Sequence, residues 1–202
     1  NKLSIMDGGG VTNVLKQLEQ SGFISSYVPF GKMKKDKLYR LTDCYSLFYL
    51  KFIKNIPSNE TPSWQSISQS QSWKTWSGYA FENICLIHIE NIKNSLGISG
   101  IQSSQSSFVL KASEENEGIQ IDFLIDRSDK VISLCEVKFY DDKMVLSKDD
   151  VDNLRRKRGI FKQATSTKKQ IFLVLITTFG LQNNKYSLGF IDTVLDMNDL
   201  FT

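Results

Sequence analysis

Apolar spacing in the first part of the chain predicts a helix, a hairpin and a second helix. Apolar residues recur at helical intervals in residues 11–22, where Gly22 ends the pattern. Residues 27–41 contain two short aromatic and aliphatic segments around a loop rich in glycine and lysine, which is typical of a hairpin. Residues 42–56 have the pattern of a strongly apolar helix with a Thr or Asp cap, closed off before Pro57.

A stretch rich in serine and glutamine, residues 57–75, follows this part and predicts a linker. The elements predicted after it are a long apolar helix at 76–97, a strand at 108–111, a hairpin at 119–139, a polar helix at 148–169, an apolar strand at 171–179 and a final strand at 187–191. This order of elements predicts an α/β domain over residues 76–202, in which helices flank a mixed central sheet.

The hairpin at 119–139 is largely apolar on both faces of each strand. Because side chains alternate along a strand, Asp122 is predicted to share a face with Leu124, and Ile121 and Phe123 to share the other face. Two apolar faces predict a central pair of strands that is covered on both sides.

Two carboxylates interrupt this hairpin, and a turn centred on Asp129 places them opposite each other. Asp122 and Glu136 would then lie about 5 Å apart between Cβ atoms, close enough to repel. A half-buried pair needs a proton, a cationic side chain or a metal ion, and Lys138 by itself neutralises only one carboxylate. Oxygen ligands without His or Cys suit Mg²⁺ or Mn²⁺. The alternative is a hairpin whose charged ends reach solvent, with Lys138 in a weak surface ion pair.

A third carboxylate, Glu82, lies in the apolar helix pattern "YAFENICLI". Glutamate is rarely placed among so many apolar helix positions unless it has a partner. Glu82 therefore favours a functional site over charged ends that merely reach solvent.

A helix with "FE", a strand with "ID" and a returning strand with "EVK", in that order, resemble the PD-(D/E)xK nuclease superfamily. The resemblance covers roughly residues 76–200 and implies a restriction-endonuclease-like fold. The residues that it implies to be catalytic are Glu82, Asp122, Glu136 and Lys138.

The same resemblance implies a metal site and a role for the lysine. Asp122 and Glu136 would bind Mg²⁺ or Mn²⁺, with the Val137 carbonyl and Glu82 as further ligands. Lys138 would hold the attacking water or stabilise the charge of the phosphorane. Gln163 matches a glutamine of some superfamily members, and an ordinary exposed helical glutamine is the alternative.

Three segments, "LYRLTDCYSLFYLKFI", "WSGYAFENICLIH" and "GFIDTVLDMNDLF", resemble the C-terminal region of a family of archaeal and bacterial AAA+ ATPases. In that family a P-loop ATPase module and a winged helix precede this region, which has long been labelled as of unknown function. A helix followed by a basic hairpin is also typical of the second half of a winged helix. Residues 1–56 are therefore expected to be a partial winged helix and the apolar helix after it. The resemblance implies that the chain is a C-terminal fragment and has an ATPase module as a partner.

Composition is that of an ordinary soluble protein, with 41% apolar residues and a net charge of +3. The three cysteines are far apart in apolar surroundings, which indicates buried thiols in a reducing compartment. The chain has one histidine and no CxxC spacing, which argues against zinc. Without a signal peptide or a long apolar run, the expectation is a cytoplasmic protein without a membrane partner. An oligomer is compatible with the sequence.

Two basic segments are candidates for contact with DNA. Residues 153–169 carry seven basic residues and no acidic one, and Arg155, Arg158 and Lys162 recur at helical spacing on one face. Lys34 and Lys35 lie in the basic hairpin loop, whose composition suits contact with a DNA backbone. The alternatives are a solvated helix and a protein-docking winged helix.

The predicted function is divalent-metal-dependent hydrolysis of DNA phosphodiester bonds by a domain attached to an ATPase. The alternative is a catalytically inactive nuclease-fold module that binds DNA or regulates the attached ATPase. Metal-dependent DNA cleavage distinguishes the two.

Overall fold

The computed structural model describes residues 9–54, 56–57, 63–112 and 117–201. Its first elements are helix α1 (Gly9–Gln20), strands β1 (Ile24–Tyr27) and β2 (Leu38–Leu41), helix α2 (Cys44–Phe48) and a π-helix (Tyr49–Ile53) that continues it. The two strands form an antiparallel hairpin, and a 3-10 helix (Lys34–Asp36) lies in its loop. The predicted helix, hairpin and second helix are therefore confirmed, with Asp43 as the cap of the second helix.

The rest of the chain alternates helices and strands. The elements are α3 (Trp64–Ser68), α4 (Gln71–Ile87), α5 (Ile89–Ser95), β3 (Ser103–Leu110), β4 (Ile119–Arg127), β5 (Val131–Lys138), β6 (Met144–Val145), α6 (Lys148–Thr165), β7 (Gln170–Thr177), β8 (Leu181–Gln182), β9 (Thr193–Leu195) and a 3-10 helix (Met197–Leu200). None of the helices described is both long enough and apolar enough to cross a membrane.

A five-stranded mixed sheet in the order β3-β4-β5-β7-β9 forms the centre of the fold. Strands β3, β4 and β5 pair antiparallel, whereas β5, β7 and β9 pair parallel. Strands β6 and β8 form a small parallel pair of their own. The α/β class and the mixed sheet flanked by helices are confirmed.

Both faces of the central strands are covered, as their apolar rows predict. On one face, α4 and α5 contribute Phe81, Cys85 and Ile92 to a core that includes Cys135 and Val137 of β5. On the other face, the core includes Phe161 of α6 together with Leu124, Ile132, Leu134 and Leu173 from the strands. The hairpin loop joins this second core, because the Phe30 ring lies 5.4 Å from the Phe161 ring.

The stretch predicted as a linker contains helices where the structure describes it. Its serines act as helix caps: Ser63 Oγ accepts a hydrogen bond from the Ser66 N–H, and Ser70 Oγ accepts one from the Trp73 N–H. The ring of Trp76 lies 5.6 Å from that of Phe48. Helix α4 therefore packs on the helical segment that precedes the predicted linker.

Several predicted bounds are wrong. The helix expected at 76–97 is divided into α4 and α5 at His88, whose ψ of 28° is not helical. The helix expected at 148–169 ends at Thr165, because Ser166 adopts a left-handed conformation with φ 51°. The strand expected at 108–111 begins at residue 103, and the strand expected at 187–191 is a turn that precedes β9.

A bulge in β4 changes the faces predicted for the hairpin. The register of β3 against β4 shifts at residues 106–108, so that one residue of β3 lies opposite both Asp122 and Phe123. The extra residue breaks the alternation of side chains. Ile121 therefore shares the α6 core with Leu124, while Phe123 joins the α4 core. The prediction that Ile121 and Phe123 share a face is wrong for this reason.

Candidate active site

Asp122 and Glu136 lie where the β4–β5 ladder ends. The last residues paired in register are Phe123 and Cys135, and the register confirms the hairpin centre predicted from the sequence. Asp122 Oδ2 accepts a hydrogen bond of 2.8 Å from the Val137 N–H. Strand β5 is thus tied to the Asp122 side chain just beyond the ladder, and the two carboxylates are neighbours.

Two lysines hold the buried Glu136 carboxylate, whose side chain is 8% exposed. Lys138 Nζ lies 2.8 Å from Oε1, and Lys157 Nζ lies 2.8 Å from Oε1 and 2.7 Å from Oε2. Lys157 was not predicted as a site residue. The signal that could have revealed it is its place in the apolar stripe of α6, three residues after Leu154 and four before Phe161.

Glu82 reaches the same site from α4 and is largely buried, with its side chain 16% exposed. Its Oε2 lies 3.5 Å from Arg40 Nη1, yet this oxygen makes no hydrogen bond to any described residue. Burial, followed by the Asp122 carboxylate, raises the pKa of Glu82 from 4.5 to about 7, against the opposing effect of Arg40. Arg40 belongs to β2, and sequence reasoning missed it as well.

The charges of these groups shift one another. Burial and the Glu136 charge raise the pKa of Asp122, although the Val137 N–H and the lysines act against this rise. Burial by itself would lower the pKa of Lys138, but the Glu136 carboxylate outweighs it and the net shift is upward. Lys138 therefore stays protonated at neutral pH, and its side chain is 40% exposed.

Three cationic side chains lie beside the three acidic ones of the site, which the sequence argument did not foresee. Its three carboxylates are Glu82, Asp122 and Glu136, and its three cationic side chains are Arg40, Lys138 and Lys157. The premise that Lys138 is the only compensating cation is wrong, because α6 and β2 bring two more from distant parts of the chain.

The oxygen donors are nevertheless of the chemical class that hard divalent cations use. Among the described residues, no group of three or more His, Cys, Asp or Glu side chains is arranged to hold a metal ion. Mg²⁺, however, is usually held by one or two carboxylates together with water and substrate phosphate. Asp122 and Glu136 supply two neighbouring carboxylates, and Glu82 Oε2 is a buried oxygen without a hydrogen-bond partner in the described part of the chain. The Val137 carbonyl as a further ligand remains a prediction.

The predicted DNA-contacting residues of α6 lie away from the carboxylates. Arg155 and Arg158 stack on the Phe190 ring, with guanidinium carbons 5.0 and 5.6 Å from its centroid. By helical geometry, Arg155 and Lys162 lie on one side of the buried stripe of α6, and Lys157 lies on the other.

The remaining predicted site residues, the two loop lysines and the possible superfamily glutamine, are exposed. Lys34 and Lys35 lie in the 3-10 helix of the hairpin loop, and Gln163 lies on the last turns of α6. The structure shows no contact of these three side chains with Asp122 or Glu136 within the residues described.

Comparisons of the chain with models of protein families, with curated proteins and with solved structures found no match. The arguments about function therefore depend on the residues and their geometry.

Proposed function

We propose that this protein is a divalent-metal-dependent nuclease that hydrolyses DNA phosphodiester bonds at a PD-(D/E)xK-type site. One observation carries the proposal: Glu82 of α4, Asp122 of β4, and Glu136 and Lys138 of β5 meet at one end of the central hairpin. Lys138 Nζ lies 2.8 Å from Glu136 Oε1, and burial together with the charges of Asp122 and Glu136 raises the pKa of Glu82. Half-buried carboxylates beside a lysine are the groups that this chemistry requires.

Each residue has a defined task in the proposed reaction. Asp122 and Glu136 would hold Mg²⁺ or Mn²⁺, with the Val137 carbonyl and Glu82 as further ligands. When bound, the ion supplies neutralisation of the phosphate charge and a lowered pKa of a water molecule. Lys138 stays protonated beside Glu136, so its ammonium can orient the attacking water or donate to a phosphate oxygen on which charge develops.

The test is cleavage of supercoiled, linear and branched DNA with Mg²⁺, with Mn²⁺ and with EDTA. The wild type should cut in a metal-dependent manner, and Asp122→Asn should not. The asparagine keeps an oxygen that can accept from the Val137 N–H, so this variant should remain folded. The matched control is Asp129→Asn, which changes an exposed turn of the same hairpin. Cleavage by Asp122→Asn at the wild-type rate would contradict the proposal.

Glu136→Gln is a poorer test of the same site. Replacing this carboxylate would leave Lys138 and Lys157 without their common partner, so a loss of cleavage could follow from a loss of stability.

A second candidate function is a non-catalytic module that binds DNA or regulates an attached ATPase. The three cationic side chains beside the three acidic ones favour it, because the site needs no metal ion to satisfy its charges. DNA binding without cleavage in either metal would support this function. An ATPase module as partner and a cytoplasmic location are proposals that rest on the sequence resemblance and composition.

A further inference from the structure

A cavity of about 320 Å³ lies directly beside the candidate active site. The β1–β2 hairpin, α4 and strands β3 and β4 enclose it, and Asp122 forms part of its wall. Arg40 also lines the cavity, and the same side chain lies 3.5 Å from Glu82. The cavity and the carboxylates are thus two parts of one continuous surface.

The walls of the cavity contain an aromatic ring of the hairpin together with aliphatic and aromatic residues of the core. Tyr27 of β1, Leu86 of α4 and Phe123 of β4 contribute apolar surface. The Arg40 guanidinium carbon lies 6.0 Å from the centroid of the Tyr27 ring, on the hairpin side of the cavity. A volume near 300 Å³ with mostly apolar walls is typical of a site for a small organic group.

Polar side chains with unused hydrogen-bonding capacity line the rest of the cavity. Within the residues that the structure describes, the side chains of Ser25, Gln105 and Ser107 make no hydrogen bond to another residue. They provide two hydroxyl groups and one amide, and none of them is charged. The ligand that suits them is uncharged and flat and carries several hydrogen-bond donors and acceptors.

We propose that this cavity binds one unpaired nucleobase of a DNA strand whose neighbouring phosphate lies at Asp122 and Glu136. A nucleobase has a flat face to stack on Tyr27 and polar edges to bond the serine hydroxyls and the glutamine amide. Arg40, between the cavity and Glu82, is placed to contact the phosphate of that nucleotide. The inference rests on the proposed nuclease function and deepens it, because it makes DNA with unpaired nucleotides the substrate class.

The test compares the binding of two DNA duplexes, measured by fluorescence anisotropy in EDTA. One duplex contains a single unpaired 2-aminopurine, and in the other the same base is paired. Binding without metal separates recognition of the base from cleavage. The wild type should bind the duplex with the unpaired base about tenfold more tightly than the paired one, as expected when one base stacks on an aromatic side chain. Fluorescence of the 2-aminopurine should change on binding.

Two variants with matched controls locate the effect. Ser107→Phe fills the cavity, and Val109→Phe places the same side chain on an exposed position of the same face of the same strand. Tyr27→Ala removes the stacking ring, and Tyr39→Ala removes an exposed ring from the same hairpin. The affinity for the duplex with the unpaired base, divided by that for the paired duplex, should fall to about one in the first variant of each pair. This ratio should stay at the wild-type value in the control. Circular dichroism checks that each variant is folded.

The outcomes separate this inference from the proposed function. DNA cleavage without any preference for the unpaired base would overturn the inference and leave the nuclease standing. A preference that the folded Ser107→Phe or Tyr27→Ala variant retains would also overturn it. A preference lost in both variants, in a protein that does not cut DNA, would support the base site and contradict the nuclease. No binding of either duplex in EDTA would overturn the inference, whereas the metal-dependent cleavage assay decides the nuclease.

Discussion

The replacement Lys157→Met removes one of the two cations that hold the buried Glu136 carboxylate. Methionine keeps the apolar stem of lysine among the buried residues of α6 but lacks the ammonium. The structure places that ammonium 2.7 Å from Glu136 Oε2, with the lysine side chain 16% exposed. The variant should therefore leave Glu136 with Lys138 as its one cation among the described contacts.

The cost follows from the distance and the burial of the pair. Two unit charges 2.7 Å apart attract by about 6 kcal/mol at an effective dielectric constant of about 20, before the cost of desolvation is counted. Removing one partner of a buried pair destabilises a protein by about 3–5 kcal/mol. Because Lys138 still pairs with Glu136, we expect a loss of about 3 kcal/mol, near the lower limit of that range.

The assay is thermal unfolding with and without Mn²⁺. Without metal, Lys157→Met should lower the Tm by about 6–12 °C, since each kcal/mol shifts the Tm of a protein of this size by about 2–4 °C. Mn²⁺ should raise the Tm of the variant more than that of the wild type, because a bound cation offsets the charge left on Glu136. Lys162→Met, the same change at an exposed position of α6, is the control.

Three results would refute this reasoning. If Lys157→Met melts at the same temperature as the control, the ion pair with Glu136 contributes nothing to stability. If the variant is destabilised but Mn²⁺ raises its Tm no more than that of the wild type, a bound cation does not replace Lys157 at Glu136; if Mn²⁺ raises neither Tm, the carboxylates do not form a divalent-cation site.

Two further predictions concern the pH dependence of stability and the basic helix. The pKa of Glu82 is about 7 in the folded chain and 4.5 in the ordinary carboxyl group, so the unfolded chain releases this proton first as the pH rises. The free energy of unfolding should therefore fall by about 3 kcal/mol between pH 4.5 and pH 7 in EDTA. Urea unfolding should show this decrease for the wild type and not for Glu82→Gln. An identical pH dependence of the two proteins would contradict the raised pKa of Glu82. Reversing Arg155, Arg158 and Lys162 to Glu should weaken DNA binding for every sequence alike and flatten its salt dependence, while the Mn²⁺-induced rise in Tm stays unchanged. Unchanged affinity and salt slope would show that this side of α6 does not contact DNA.

Local patterns in the sequence determined the central hairpin and its carboxylates. The apolar rows on both faces predict a covered pair of strands, and the turn at Asp129 fixes which residues face each other. The position of a short turn fixes which residues of its two strands pair, so the sequence predicts that Asp122 and Glu136 are neighbours. Glu82 was predicted as well, because a carboxylate among apolar helix residues is conspicuous in the sequence.

Other elements depend on partners that the local pattern does not specify. Residues 103–106 have the composition of a polar loop, yet they form the first half of β3. They do so because β4 provides backbone hydrogen-bond partners for them at the edge of the sheet. The bulge in β4 likewise has no local signal, since it arises from the register with β3. Strand β9 is only three residues long and forms against β7.

The sequence by itself therefore determined the α/β class and the carboxylates of the candidate site, whereas the tertiary structure decided their electrostatics. Lys157 approaches Glu136 because α6 packs on the sheet through Phe161, and Arg40 approaches Glu82 because the β1–β2 hairpin lies against α4. The physical reason is range: periodicity and turn length act over a few residues, but the charge next to a buried carboxylate depends on which distant elements pack beside it. These packed elements also enclose the cavity beside Asp122, which no single stretch of the chain encodes.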